Sequence, residues 1–435
     1  MTFSVHGRIV TVVGAARSGV AAALLLAERG ARVTLSDARA PIDGDSDRRL
    51  REAGVTLELD GHRTETFTSA DLIVVSPGVP LELDPLRAAR KAGVGVIGEI
   101  ELASRWLSGR IVAITGTKGK STTATLTGRM FAAGGLKALV GGNIGTPLSA
   151  QVADSTPDTF HIVEVSSFQL ETTETFHPWI AVLLNLSSDH LDRHGSMESY
   201  AAAKARIFAN QTEGDFAVIN ADDPQTLALA RAGRARQVLF SIATPPVPLS
   251  SIRLLGRHLA SDVMAAATVA RIAGVAVPAM VSAVESFTGL EHALEPVAIV
   301  GGVHFVNDSK ATNVDAARQA IESFDDRLVV IMGGRYKSGD FSLLREPLQR
   351  RSAVVVAIGE ARPLIHTALD SIVPVHDSDT LPIAVRRAFE LAPKGGTVLL
   401  APACASFDMF RDYAERGTVF KQEVGRLAEE REAKK

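Results

Sequence analysis

Short runs of β-branched and aliphatic residues recur along this chain, each stopped by glycine or a polar cluster and followed by a helix-compatible stretch. Residues 8–13 form such a run, closed by Gly14-Ala15-Ala16-Arg17-Ser18-Gly19, and an apolar helical stretch over 20–28 comes next. Residues 32–36 end at Asp37, and residues 71–75 end at Ser76-Pro77-Gly78. This alternation predicts parallel sheets of an α/β protein, with ligands at the carboxyl ends of the strands. After Gly98 the pattern restarts with a strand over 111–115, a helix over 122–132, strands over 160–165 and 180–186, and a helical run over 261–273. A third block opens with one strand over 297–305 and continues with strands over 328–332, 353–358 and 397–401. The tail over 423–435 is charge-dense and reads as a solvated, fraying helix end.

The second block begins with the most specific chemistry. Ile111-Val112-Ala113-Ile114-Thr115 runs into Gly116-Thr117-Lys118-Gly119-Lys120-Ser121-Thr122, and a helix starts at once. Glycines let backbone N–H groups approach phosphate, and a helix N-terminus adds partial positive charge. Lys120 would reach the terminal phosphates, and the hydroxyl of Ser121 or Thr122 would hold Mg²⁺. From Gly116 to Lys120 the spacing is G-x-x-G-K, shorter than the usual P-loop.

Other clusters carry weaker signals. Glu164, at the end of an apolar strand, is a candidate Mg²⁺ ligand, because a buried carboxylate needs a partner. Asp189-His190-Leu191-Asp192-Arg193-His194 suggests zinc, but there is no nearby Cys and no H-E-x-x-H spacing, and a solvated loop is the plain reading. Lys204, in Tyr200-Ala201-Ala202-Ala203-Lys204, reads from its helical surroundings as a surface lysine. Asp308-Ser309-Lys310-Ala311-Thr312-Asn313 and Gly333-Gly334-Arg335-Tyr336-Lys337 place cations after two strands and suggest a small anionic substrate. Cys404 has no basic neighbour in sequence and reads as a buried structural thiol. Gly14, Ala16 and Gly19 approximate G-x-G-x-x-G, with Asp37 at the next strand end. Alone they allow an NAD site, another phosphate-bearing ligand or a simple tight turn.

Composition narrows the field. The chain has 435 residues, long enough for two or three domains, with 46% hydrophobic and 22% charged residues. A net charge of −3 gives no footprint for nucleic acid or a membrane surface. The single cysteine excludes an intrachain disulfide framework and fits a reducing compartment. The apolar stretch over 9–26 is broken by Gly14, Arg17 and Gly19, so it reads as strand, turn and helix and not as a signal peptide.

Taken together and in order, these segments resemble the Mur ligases over nearly the whole chain. The run from Thr115 to Thr122 resembles the family's ATP loop, T-G-T-N-G-K-x-T, with Lys118 in place of the frequent Asn; the short spacing is the family's own. Glu164-Val165-Ser166-Ser167-Phe168-Gln169-Leu170 is similar to its metal-binding strand. The segment from Asp308 to Asn313, with Pro402-Ala403-Cys404-Ala405-Ser406-Phe407-Asp408 and Arg416-Gly417, is most similar to the member that adds D-glutamate.

The resemblance implies three domains, placed here at 1–97 (Rossmann-like, UDP moiety), 98–292 (ATPase) and 293–435 (amino acid). It implies an ATP-dependent ligase that joins D-glutamate to UDP-N-acetylmuramoyl-L-alanine through an acyl phosphate, and it replaces the NAD reading. Gly116, Thr117, Lys118, Gly119, Lys120, Ser121, Thr122 and Asp308 would bind ATP. Ser121, Glu164, His190 and Lys204 would hold two Mg²⁺ ions, with Lys204 at the position the family carbamylates. Lys120, His190 and Lys204 would be catalytic. Asp37, Ser76, Gly78 and Asn143 would help hold the UDP-sugar, Lys337, Thr312 and Ser406 would grip the D-glutamate carboxylates with Tyr413 packing nearby, and Ser18, Ser166, Gln169 and Lys310 would also bind substrate. A cytoplasmic monomer without nucleic-acid or membrane partners is expected. Two segments depart from the family: His258-Leu259-Ala260-Ser261-Asp262 stands where H-N-x-x-N is common, and Leu290-Glu291-His292-Ala293 lacks the arginine of L-x-H-R. Other Mur ligases, folylpolyglutamate-type ligases, a non-catalytic nucleotide-binding regulator and an NAD-dependent oxidoreductase are the competing readings. The N-terminal unit disfavours the folate enzymes, and no D-N-P-R segment marks diaminopimelate addition.

Overall fold

A computed structural model describes residues 3–39, 42–187, 189, 191–230, 233–252, 257–336 and 339–433. The chain divides into two compact units, Met1–Ile252 with His258–Ser286 and Arg253–Arg257 with Phe287–Lys435.

The first unit contains two parallel sheets. One comprises β1 (Ile9–Val13), β2 (Arg32–Ser36), β3 (Thr56–Glu58), β4 (Leu72–Val75) and β5 (Gly95–Gly98) in the order β3-β2-β1-β4-β5. The second comprises β6 (Arg110–Thr115), β7 (Ala138–Gly142), β8 (Phe160–Glu164), β9 (Ile180–Leu183), β10 (Phe216–Asn220) and β11 (Arg236–Phe240) in the order β11-β10-β9-β6-β8-β7. Central strands such as β4, β6 and β9 are buried along almost their whole length. Burial on both faces is why they appear in the sequence as unbroken apolar runs and not as alternating patterns. Strands with few apolar residues, β3 and β5, and the partly exposed edge strand β11 give no such run.

The second unit is built on β12 (Glu295–Val300), β13 (Val303–Asn307), β14 (Leu328–Gly333), β15 (Val354–Ile358), β16 (Val375–Asp377) and β17 (Thr397–Leu400), in the order β12-β13-β17-β14-β15-β16. The single strand expected over 297–305 is instead an antiparallel hairpin of β12 and β13. Gly301 and Gly302, at φ 59° and 84°, form its turn, a backbone conformation that glycine adopts without a Cβ penalty. All other pairs in this sheet are parallel. The charged tail is also more ordered than expected. The helix Tyr413–Glu432 buries Phe420, Val424 and Leu427 against β13 and its neighbours, so only its outer face is solvated.

Candidate active site

Loops at the carboxyl ends of β6, β8 and β9 converge in the first unit. Gly119, at φ 82°, is the residue from which the helix Lys120–Ala133 starts. A Cβ there would collide with the Asp262 carboxyl, so both conformation and space demand glycine. Asn185, just past β9, holds the loop from below. Its backbone carbonyl accepts from Thr117 N at 3.1 Å, its Oδ1 accepts from Lys118 N at 2.9 Å, and its Nδ2 donates to Lys118 O at 3.0 Å. The Tyr200 hydroxyl donates to Thr117 Oγ1 at 3.1 Å. Lys120 Nζ folds back onto the carbonyls of Gly116 and Thr117 at 3.0 and 2.8 Å. Sequence reasoning missed Asn185 and Tyr200: the strand expected over 180–186 ends at Leu183, which frees Asn185 to meet a loop distant in sequence.

Glu164 ends β8 and is almost completely buried. Ser121 Oγ donates to its Oε2 at 2.6 Å and Asn143 Nδ2 to its Oε1 at 2.8 Å. Asn143, expected against the UDP-sugar, is thus a neighbour of the carboxylate that ends β8. Among the described residues no group of three or more His, Cys, Asp or Glu side chains converges as a metal cluster. A hard cation here would draw its oxygen ligands from Ser121, Glu164 and phosphate. His190 lies outside the described residues.

Lys204 is 1% exposed, which overturns its reading as a surface lysine. The helix Met197–Ala205 carries Tyr200, Ala203 and Lys204 on one buried face, the i, i+3, i+4 stripe that a local view of an alanine-rich segment does not reveal. Lys204 Nζ donates to Gly116 O at 2.8 Å and lies 4.6 Å from the centre of the Tyr200 ring. Burial, reinforced by the like charge of Lys120, depresses the amine to about 6, and the carboxylates of Asp189 and Glu164 only partly oppose this. At neutral pH Lys204 is mostly uncharged.

In the first sheet the strand order reverses between β1 and β4, and a cavity of ≈ 570 Å³ opens there. Ser18, Asp37, Ser76 and Gly78 line it together with Gly14 and His62. Asp37 Oδ2 accepts from Ala15 N at 2.7 Å and Oδ1 from Arg39 N at 2.8 Å. Burial works against the charge, but these amides outweigh it and hold the carboxylate below its usual range. Ser166 and Gln169 form a capping box on the short helix Ser167–Leu170, where Ser166 Oγ accepts from Gln169 N and Gln169 Oε1 accepts from Ser166 N. Gln169 Nε2 is buried and has no hydrogen-bond partner among the described residues.

In the second unit the loops after β13 and β17 are tied together by Arg416, which is 1% exposed. Its guanidinium donates to Ser309 Oγ at 2.9 Å, Ser309 O at 2.8 Å and Cys404 O at 3.2 Å. Burial lowers its pKa to about 10, still high enough to stay charged at neutral pH. Asp308 accepts from Leu294 N at 3.3 Å, and burial raises it to about 7 against that amide and Lys310. Lys310 and Thr312 follow on the same loop, Ser406 is buried on the β17 loop, and Tyr413 is 40% exposed at the start of the long helix. Lys337 lies outside the described residues. The Cys404 thiol is buried and pushed up to about 12, as a structural thiol should be.

The chain is similar to known proteins over most of its length. The MurD-like N-terminal domain of Mur ligases matches residues 8–98, the Mur ligase middle domain residues 114–247, and the Mur ligase glutamate ligase domain residues 294–404. The chain belongs to the Mur ligase family. It is 48% identical to the UDP-N-acetylmuramoylalanine--D-glutamate ligase of Acidobacterium capsulatum over 96% of either chain. It is 43% identical to the ligase of the same name from Koribacter versatilis, over 98% of this chain and 99% of that one. Among solved structures, the MurF ligase from Thermotoga maritima in complex with ADP shares the fold at a TM-score of 0.62 and 17% identity, covering 98% of this chain and 96% of that one. UDP-N-acetylmuramate-alanine ligase MurC of the same organism does so at 0.59 and 17%, covering 97% and 99%. Among the described residues no helix is long and apolar enough to cross a membrane.

Proposed function

We propose that this chain adds D-glutamate to UDP-N-acetylmuramoyl-L-alanine at the expense of ATP, through an acyl phosphate, as a soluble monomer in peptidoglycan-precursor synthesis. The observation that carries this reading is the convergence of Lys120, Glu164 and a buried Lys204 on the glycine loop and the helix start that follows it, in a chain so similar to D-glutamate ligases. Residues 1–97 would hold the UDP moiety, 98–292 ATP and 293–435 the amino acid.

ATP would lie on the loop over 116–119, with Lys120 turning from the loop carbonyls to the γ-phosphate. Ser121 and Glu164 offer adjacent oxygen ligands and fit Mg²⁺, with His190 and Lys204 assigned to a second ion. Bound Mg²⁺ supplies charge neutralisation for phosphoryl transfer. Lys204 is suited to carbamylation because its amine is largely unprotonated. The nitrogen lone pair attacks CO₂, a C–N bond forms as one C–O π pair moves onto oxygen, one proton leaves the nitrogen, and the neutral amine becomes an anionic oxygen ligand. The substrate's L-alanine carboxylate attacks the γ-phosphorus, giving the acyl phosphate and ADP. The D-glutamate amine then attacks the acyl carbon and phosphate leaves. Lys310, Thr312, Lys337, Ser406 and Tyr413 are assigned to D-glutamate, whose two carboxylates call for cations and hydroxyl donors. Asp308 is assigned to the nucleotide.

The test is phosphate release from ATP with Mg²⁺ and UDP-N-acetylmuramoyl-L-alanine, adding each amino acid in turn. Release that requires D-glutamate, with a UDP-linked dipeptide product, is the expected result. Release with another amino acid moves the specificity, and no release with any overturns the reading.

A further inference from the structure

Asp262 has no role in the scheme above, yet it lies against the nucleotide loop. It sits on the helix Arg257–Ile272, is 4% exposed, and its carboxyl occupies the space where a side chain on Gly119 would go. Its Oδ2 is buried without a hydrogen-bond partner among the described residues. A buried carboxyl oxygen without a partner is rare enough to require an explanation. Lys120, on the helix that begins at Gly119, is the charge that reaches it. Lys204 in turn faces Lys120, Asp189 and Glu164. Burial pushes Asp262 up to about 8 against the pull of Lys120, so the group keeps its proton at neutral pH. A neutral carboxyl beside the loop leaves an incoming polyphosphate undisturbed. An ionised one repels it and competes for Lys120.

We propose that Asp262 couples nucleotide binding to a proton: the loop takes its nucleotide with the Asp262 carboxyl protonated and loses affinity when that carboxyl ionises. The inference rests on the loop being the nucleotide site. Asp262 is a positioning residue, since it touches Gly119 and acts on the phosphates through the field at the loop. The sign follows from linkage. Phosphate charge raises the carboxyl's pKa further in the complex, so above about pH 8 the complex holds more protons than the free protein, and affinity falls as pH rises. Below about pH 7 the carboxyl is protonated in both states and adds no pH dependence.

The experiment is calorimetric titration of the full chain with ADP and Mg²⁺, in wild type and Asp262→Asn. Wild-type Kd is expected to rise about tenfold between about pH 7 and pH 9. Asp262→Asn keeps the shape without the charge, and its Kd should change by less than about twofold over the same range. At about pH 8 the wild type should take up more protons on binding than the variant, read from two buffers of different ionisation enthalpy. Should Asp262→Asn fold poorly, Asp262→Ser carries the same expectation. Parallel pH profiles in wild type and variant overturn the inference and leave the ligase reading standing. Failure of both to bind nucleotide overturns that reading and the inference with it.

Discussion

Two side chains concentrate the chemistry of the first unit. Glu164 accepts from Ser121 and Asn143, so replacing it with Gln preserves size and leaves hydrogen-bonding capacity while removing the charge. Glu164→Gln is expected to lower kcat for phosphate release by about 100-fold or more, with a thermal midpoint close to wild type. Lys204 should give a new carbonyl signal in ¹³C NMR after equilibration with labelled bicarbonate, because its amine is already deprotonated near neutral pH. Lys204→Arg, which stays cationic and cannot form the carbamate, should lack the signal and lose most activity. Equal activity in the arginine variant would end the carbamate assignment. Glu164 was legible as a carboxylate at the end of an apolar strand. The burial of Lys204 was not, because it depends on which face of its helix meets the loop, and a run of alanines marks no face.

Among the elements, the strand-end loops of the second unit are held by a long-range tie from the final helix. Arg416, on the final helix, holds the loop after β13 and the loop after β17 through three hydrogen bonds. Arg416→Met fills similar volume but leaves Ser309 and the Cys404 carbonyl without their donor. It is expected to cost about 3 kcal/mol in urea denaturation. It should also raise KM for the amino-acid substrate more than for ATP, since Lys310 and Ser406, proposed above to hold that substrate, ride on those loops; an unchanged KM would separate the tie from the site. Strands buried on both faces were readable from their apolar runs. The β12–β13 hairpin was not, because its turn is two glycines inside an otherwise apolar stretch, and only the reversal of chain direction reveals them as a turn.

For the whole molecule, the division into units predicts separable folding. Residues 287–435 carry a complete six-stranded sheet with its own core and should unfold cooperatively when expressed alone. A non-cooperative urea curve would count against that. Within the first unit, Glu99 follows β5 and accepts from Ser149 N at 2.6 Å, and its Oε2 is buried without a hydrogen-bond partner among the described residues. Burial raises it to about 7, against the Ser149 hydrogen bonds. Its folded pKa therefore exceeds the ordinary 4.5, the native state holds the extra proton, and stability falls as pH rises through the interval from about 4.5 to 7. Glu99→Gln should stabilise the protein by about 2 kcal/mol at about pH 8 relative to wild type, and by much less at about pH 5. The same margin at both pH values would show that Glu99 does not titrate in this interval.

The sequence by itself determined the α/β class, the strand that leads into the nucleotide loop, the glycine and lysine pattern of that loop, and membership of a ligase family. These are local properties: apolar runs, turn residues and short motifs lie along the chain where they act. Only the tertiary structure decided that Asn143 turns to Glu164, that Lys204 is buried and neutral, that Asn185 pins the loop and that Asp262 lies under Gly119. Each of those facts joins residues far apart in sequence, and their protonation follows from burial and neighbouring charge, which exist only once the elements have packed.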